Sequence, residues 1–171
     1  MRSMAMLARL TVAGVLLTGG VASAQATKAQ TAVATAMRGA KHVALADAIE
    51  TASTSGKPIS ARYEFEDNKL KLSVFIEKDG AYSEIFFDHV TGKVAQVDKI
   101  TGGDDLKEAR AESKVSAKAK KSLSSAVTKA VAANPGYTAV DVTPVFEGKA
   151  PVAEITLMKD GRFKGVSEPI G

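Results

Sequence analysis

The chain has 171 residues, 45% hydrophobic and 25% charged, with a formal net charge of +4, an ordinary globular composition compatible with one domain or two small ones. Cysteine and tryptophan are absent and aromatics make up 5%. This excludes a disulfide scaffold, a cysteine nucleophile and an N-terminal lipid-bearing cysteine, and leaves the core to Val, Ile, Leu and Ala.

Residues 1–24 read as a secretory signal peptide. Arg2 and Arg9 give the positive start, Leu10 to Leu17 the apolar run, and Ala22-Ser23-Ala24 an A-x-A site, with cleavage after Ala24. The run is shorter than the roughly 20 residues a bilayer span requires. An uncleaved anchor and an organellar transit peptide are the competing readings; the small residues closing the apolar run favour export. The expected location is periplasmic or secreted, in a bacterium, with no stable membrane insertion after cleavage. Residues 1–24 hold two of the 23 basic residues and none of the 19 acidic ones, so the remainder carries 21 against 19, a net +2. With that balance and no basic stripe interleaved with aromatics, nucleic acid is not an expected partner.

Residues 25–41, rich in Ala, Thr and Gln, form a leader or an extension of the next helix. Leu45, Ala48, Ile49 and Ala52 then mark one helical face, and Ser53 to Gly56 ends it. Ile59, Ala61, Tyr63 and Phe65 alternate with polar residues, as do Leu70, Leu72, Val74 and Ile76, predicting two strands joined at Asp67-Asn68. Lys78-Asp79-Gly80 turns the chain into a third strand at Tyr82–Phe87. Residues 88–93 turn it again into a fourth at Val94–Val97. Residues 101–114, charged and poor in large apolar side chains, read as a linker. A second helix is predicted from Val115 through Ala119, Leu123, Ala126, Val127, Ala130 and Val131, ending at Asn134-Pro135-Gly136. Strands follow at Thr138–Phe146, Ala150–Met158 and Arg162 to about Ser167.

The two halves share one plan. Leu45-Ala46-Asp47-Ala48-Ile49 answers to Leu123-Ser124-Ser125-Ala126-Val127, and Lys78-Asp79-Gly80 to Lys159-Asp160-Gly161. The expected fold class is therefore α+β, with two tandem modules (residues 42–100 and 115–171), each a helix packed on a small antiparallel β-meander.

The helix, the hairpins and the ending Asp88-x-x-Thr91-Gly92-Lys93-Val94 resemble the PepSY domain family, found in propeptides of thermolysin-type proteases and in many secreted bacterial proteins. The match is best over residues 43–100. Residues 122–168 resemble a divergent second copy that lacks the terminal motif. The resemblance implies a non-catalytic module that binds or restrains an extracytoplasmic protein such as a protease. No peptidase accompanies the module here, so restraint would act in trans. A small-ligand or metal-binding module using the cleft between the repeats is the alternative.

Signatures of catalysis are missing: no G-x-S-x-G elbow, H-E-x-x-H or Walker loop occurs, and no enzyme, cofactor or metal is expected. His42 and His89 are the two histidines, too few for a closed zinc site without cysteine, and both read as solvated. Asp88, Thr91, Gly92 and Lys93 form the family-motif turn. There Asp88 is expected to accept backbone N–H bonds, with a metal or partner contact as the rival reading, and Lys93 to guard an edge strand. Glu64, Glu66, Asp67 and Asn68 lack the spacing of a calcium loop. Lys114, Lys118, Lys120 and Lys121 read as the wet face of the second helix. Phe75, on the polar side of its strand, is the candidate partner contact, or interface core if the second module covers it.

Overall fold

The computed structural model describes residues 26–171. The signal segment and its cleavage site fall outside the described residues. The elements are α1 (Lys28–Ala36), α2 (Leu45–Ala52), β1 (Lys57–Glu66), β2 (Lys69–Lys78), β3 (Ala81–Phe87), β4 (Val94–Ile100), α3 (Gly103–Ser116), α4 (Leu123–Ala132), β5 (Thr138–Glu147), β6 (Ala150–Lys159) and β7 (Arg162–Pro169).

The strands form one antiparallel seven-stranded sheet in the order β4-β3-β2-β1-β5-β6-β7. This overturns the expected pair of helix-on-meander modules. Strands β1 and β5 pair directly, with Ala61 opposite Val142 and Arg62 opposite Asp141. Helix α2 packs on α4, and Ile49, Tyr63, Val74, Val127, Val142 and Ile155 belong to a single core. The physical reason is burial. A short helix on a lone meander would leave β1 or β5 as an open edge over a small core, whereas joining them removes both edges and pools the apolar faces.

Local chemistry explains the hairpins. Asp79 and Gly80 both have positive φ (52° and 77°), as do Asp160 and Gly161 (52° and 76°). That is the two-residue turn whose twist suits an antiparallel pair, closed by Lys78 opposite Ala81 and by Lys159 opposite Arg162. The register also slips once in β1, between Pro58 and Ser60, and once in β5, between Ala139 and Asp141. Ile59 and Val140 sit at these irregularities and both are fully buried. The same number of residues separates Ile59 from Val140 as Lys78 from Lys159.

The expected linker is helix α3, lying on the sheet face opposite α2 and α4. Its inward residues are Ala109, Glu112, Val115 and Ser116. The face beneath holds Ile59 and Phe75, together with the buried polar residues Ser60, Arg62 and Asp141. A partly polar floor needs only a partly polar lid, so this helix carries no broad apolar stripe. The helix predicted from Val115 to Val131 is in fact the end of α3 and the whole of α4. The chain breaks between them, and the Ser122 hydroxyl caps α4 by accepting the Ser125 N–H. Residues 25–41 likewise contribute a separate helix, α1, opened by a capping box between Thr27 and Gln30. At the other end Ile170 is fully buried in the main core, and its carbonyl accepts the N–H groups of Lys120 and Lys121.

Candidate functional site

The motif turn is held from within. One Asp88 carboxylate oxygen accepts the Val90 N–H (3.0 Å), the Thr91 N–H (2.7 Å) and the Thr91 hydroxyl (2.9 Å). The Asp88 N–H donates to the Lys93 carbonyl, and the Gly92 N–H to the Asp88 carbonyl. Bonds from Thr91, then from Val90, hold the Asp88 carboxyl below its ordinary range. Gly92 has φ +73°, and a Cβ there would come 3.4 Å from Val43. Lys93 is exposed, at the mouth of β4.

His42 and His89 meet, although 47 residues separate them. Their Nδ1 atoms are 3.0 Å apart, with ring centroids at 5.0 Å. His42 also stands edge-on to Tyr63, whose hydroxyl donates to the Val43 carbonyl. Burial, then the neighbouring His89, pushes the His42 pKa down. The expectation of two unrelated solvated histidines is corrected: the pair ties the α1–α2 connection to the β3–β4 turn. Among the described residues no cluster of three metal-ligating side chains exists.

Phe75 is also corrected. It is 6% exposed, sealed beneath α3, with the Arg62 guanidinium 4.4 Å above its ring; it cannot meet a partner while α3 is in place. Around it lies a buried charged cluster. Arg62 Nε is 2.7 Å from Glu64 Oε1, and the Ser60 hydroxyl donates to Glu112 at 2.6 Å. Burial raises the pKa of Glu64 and, against a bond from Ser73, lifts that of Glu84 to about 7. The space among Ser60, Arg62, Phe75 and Glu112 leaves no volume for even a water.

The open places on the described surface include three. A shallow groove of about 440 Å³ lies between α1 and Phe65. A deeper pocket of about 370 Å³ lies where α2, the start of β1, the end of α3 and the start of α4 converge. The third is the outer edge of β4, where Val94 and Val97 are 52% and 55% exposed.

No family model, curated protein or solved structure matches the chain. The PepSY resemblance therefore stands on the residues quoted for it, and the chemistry of the site rests on its geometry. No described helix is long and apolar enough to cross a membrane. The pocket was missed from sequence because Lys57, Lys120 and Glu50 come from three separate elements. Only the run Lys114, Lys118, Lys120 and Lys121 hinted at it, and that run, read as one helix face, has Lys114 in α3 and the other three in the α3–α4 connection.

Proposed function

We propose that the chain is an exported, non-catalytic binding module of PepSY type that restrains or regulates an extracytoplasmic protein, such as a protease, by accepting an extended segment of it along β4. The observation that carries this reading is the β4 edge. Val97 lies opposite Ile85, and Val94 opposite Phe87; both partners are buried core residues. The apolar face of the sheet thus runs on past its helical cover and ends in exposed valines. A partner strand laid there gains main-chain hydrogen bonds and rests alternate side chains on Val94 and Val97. The other edge, β7, suits this less, because Pro169 has no N–H to donate. The protease as partner is carried by the family resemblance.

The test is capture from envelope extract by the purified chain, compared with a Val94→Lys/Val97→Lys variant. A protease captured and inhibited by the wild type, and released by the variant with an unchanged melting curve, supports the reading. Equal capture by both chains refutes edge docking.

A second reading, small-ligand binding, is favoured by the 370 Å³ pocket, a size within the range of ligand sites. No cleft separates two modules, so the pocket at the α2–α3–α4 convergence takes the place of the expected inter-repeat cleft.

A further inference from the structure

The contact between His42 and His89 joins two segments that no strand ladder joins. His42 lies in the connection between α1 and α2, and His89 in the turn between β3 and β4. Beside the rings, the Val43 N–H donates to the His89 carbonyl at 2.9 Å. Tyr63 of β1 donates its hydroxyl to the Val43 carbonyl, and burial pushes the pKa of that hydroxyl up. The two imidazoles are thus the groups of this junction that change charge near neutral pH.

Their nitrogens meet head to head. An Nδ1–Nδ1 distance of 3.0 Å is a hydrogen bond only while one nitrogen carries a hydrogen and the other a lone pair. A neutral pair satisfies this, and so does a pair with one extra proton. With two, both Nδ1 atoms become donors, and two cations stand with their ring centroids 5.0 Å apart. His42 resists the second proton for another reason. Its Nε2 is buried without a hydrogen-bond partner, so a hydrogen there has no acceptor. The Met37 carbonyl favours a proton on His42, but less than burial and His89 oppose it.

The surrounding charges do not relieve the pair. From the turn comes Asp88, whose carboxylate attracts His89 rather than His42 and is committed to Val90 and Thr91. From β1 comes Tyr63. Arg38 and Lys41 in the connection and Lys93 in the turn are exposed and add positive charge.

From the facing nitrogens, the buried Nε2 and the distant segments they tie, we propose that this contact is a pH-sensitive clasp. It is closed while at most one extra proton resides on the two rings. It opens when both are charged, freeing the α1–α2 connection and the turn from which β4 starts. Linkage sets the direction. A freed His42 takes its proton near the ordinary 6.5, whereas in the clasp it holds that proton less tightly. The open form therefore binds more protons below about pH 6.5, and acid favours it by up to tenfold per pH unit for one proton. Asp88, held below the ordinary carboxylate range, stays ionised while the pair titrates. The clasp is independent of docking at β4 and of any ligand in the pocket.

The test is NMR of the purified chain between pH 7.5 and 5, without any partner. Ring-nitrogen spectra should show His42 still neutral below pH 6.5. The hydrogen-exchange protection factor of the Val43 amide, which removes the intrinsic pH dependence of exchange, should fall at least about tenfold over this range. That of Val74, on the central strand β2, should hold. In His89→Asn, a side chain of similar reach that does not titrate, Val43 protection should be flat with pH. Constant Val43 protection in the wild type overturns the clasp, as does an equal loss in His89→Asn. A parallel loss at Val74 overturns it too, since the whole fold would then be opening. A His42 midpoint at or above 6.5, read on the wild type and needing no variant, overturns it equally.

Discussion

Glu84 offers the sharpest test of the buried charged face. It lies on β3 opposite Phe75 and Asp98. Burial lifts its carboxyl from 4.5 to about 7; Ser73 and Arg62 oppose the rise, and Glu64 and Asp105 add to it. The folded chain therefore holds this proton more tightly than the unfolded chain. Below about pH 4.5 both states are protonated, and Glu84 adds no pH dependence. Between 4.5 and 7 the unfolded state ionises first, so stability falls as pH rises, with a slope approaching 1.4 kcal/mol per pH unit. Above 7 the loss is complete, at about 3 kcal/mol as an upper bound and about 1–2 kcal/mol once partial solvation is allowed for. Glu84→Gln keeps an acceptor for Ser73 and removes the charge. In urea unfolding followed by circular dichroism, it should match the wild type near pH 4.5 and exceed it by that margin at pH 8. A variant-to-wild-type difference constant across this range would refute the idea that α3 and the sheet bury a carboxylate that resists ionisation.

Two further substitutions probe the corrected assignments. Phe75→Ala should cost about 3–5 kcal/mol in urea unfolding, as expected for deleting a buried aromatic. It should leave capture by the β4 edge intact at a temperature where it is folded. A near-neutral stability effect would restore Phe75 as an exposed contact. Gly92→Ala should lower stability by about 1–2 kcal/mol, because alanine at φ +73° is strained and its methyl presses on Val43. A melting temperature equal to wild type would show that the turn tolerates a different backbone.

The strands were legible because alternation and turn chemistry are local. Ile59 to Phe65 and Leu70 to Ile76 carry the period of two, and Asp-Gly pairs specify the hairpins. The pairing of β1 with β5 was not legible, because an edge strand and a central strand can show the same alternation. The polar residues that alternate along β1 include Ser60 and Arg62, which are buried beneath α3; short hydroxyls at Ser60, Ser73, Thr143 and Thr156 were the available hint that this face is covered. Helix α3 was missed for the same cause. Its contact side includes Ala109, Glu112 and Ser116, and apolar periodicity cannot reveal a helix that buries polar groups against polar groups. The bonds of Asp88 within its turn were readable because each of them lies within six residues. The His42–His89 contact and the pocket at Ser116 depend on distant segments meeting.

The joining of the halves also explains where binding can occur. Two separate meanders would present four edges, and pairing β1 with β5 consumes two of them. Of the two left, β7 ends in Pro169 beside the buried Ile170, while β4 begins with exposed Val94 and has no proline. The same junction brings the C-terminal end of α2 beside the N-terminal end of α4, since the helices follow the strands they precede. Helix α3 must cross from one sheet face to the other before α4 begins, and Ser116 to Ser122 make that passage. A connection that rounds the end of a sheet cannot pack as densely as a helix laid on its face, and the pocket lies at that bend. The edge and the pocket therefore arise from one topological event, yet they share no residue, and a substitution in either should leave the other's ligand bound.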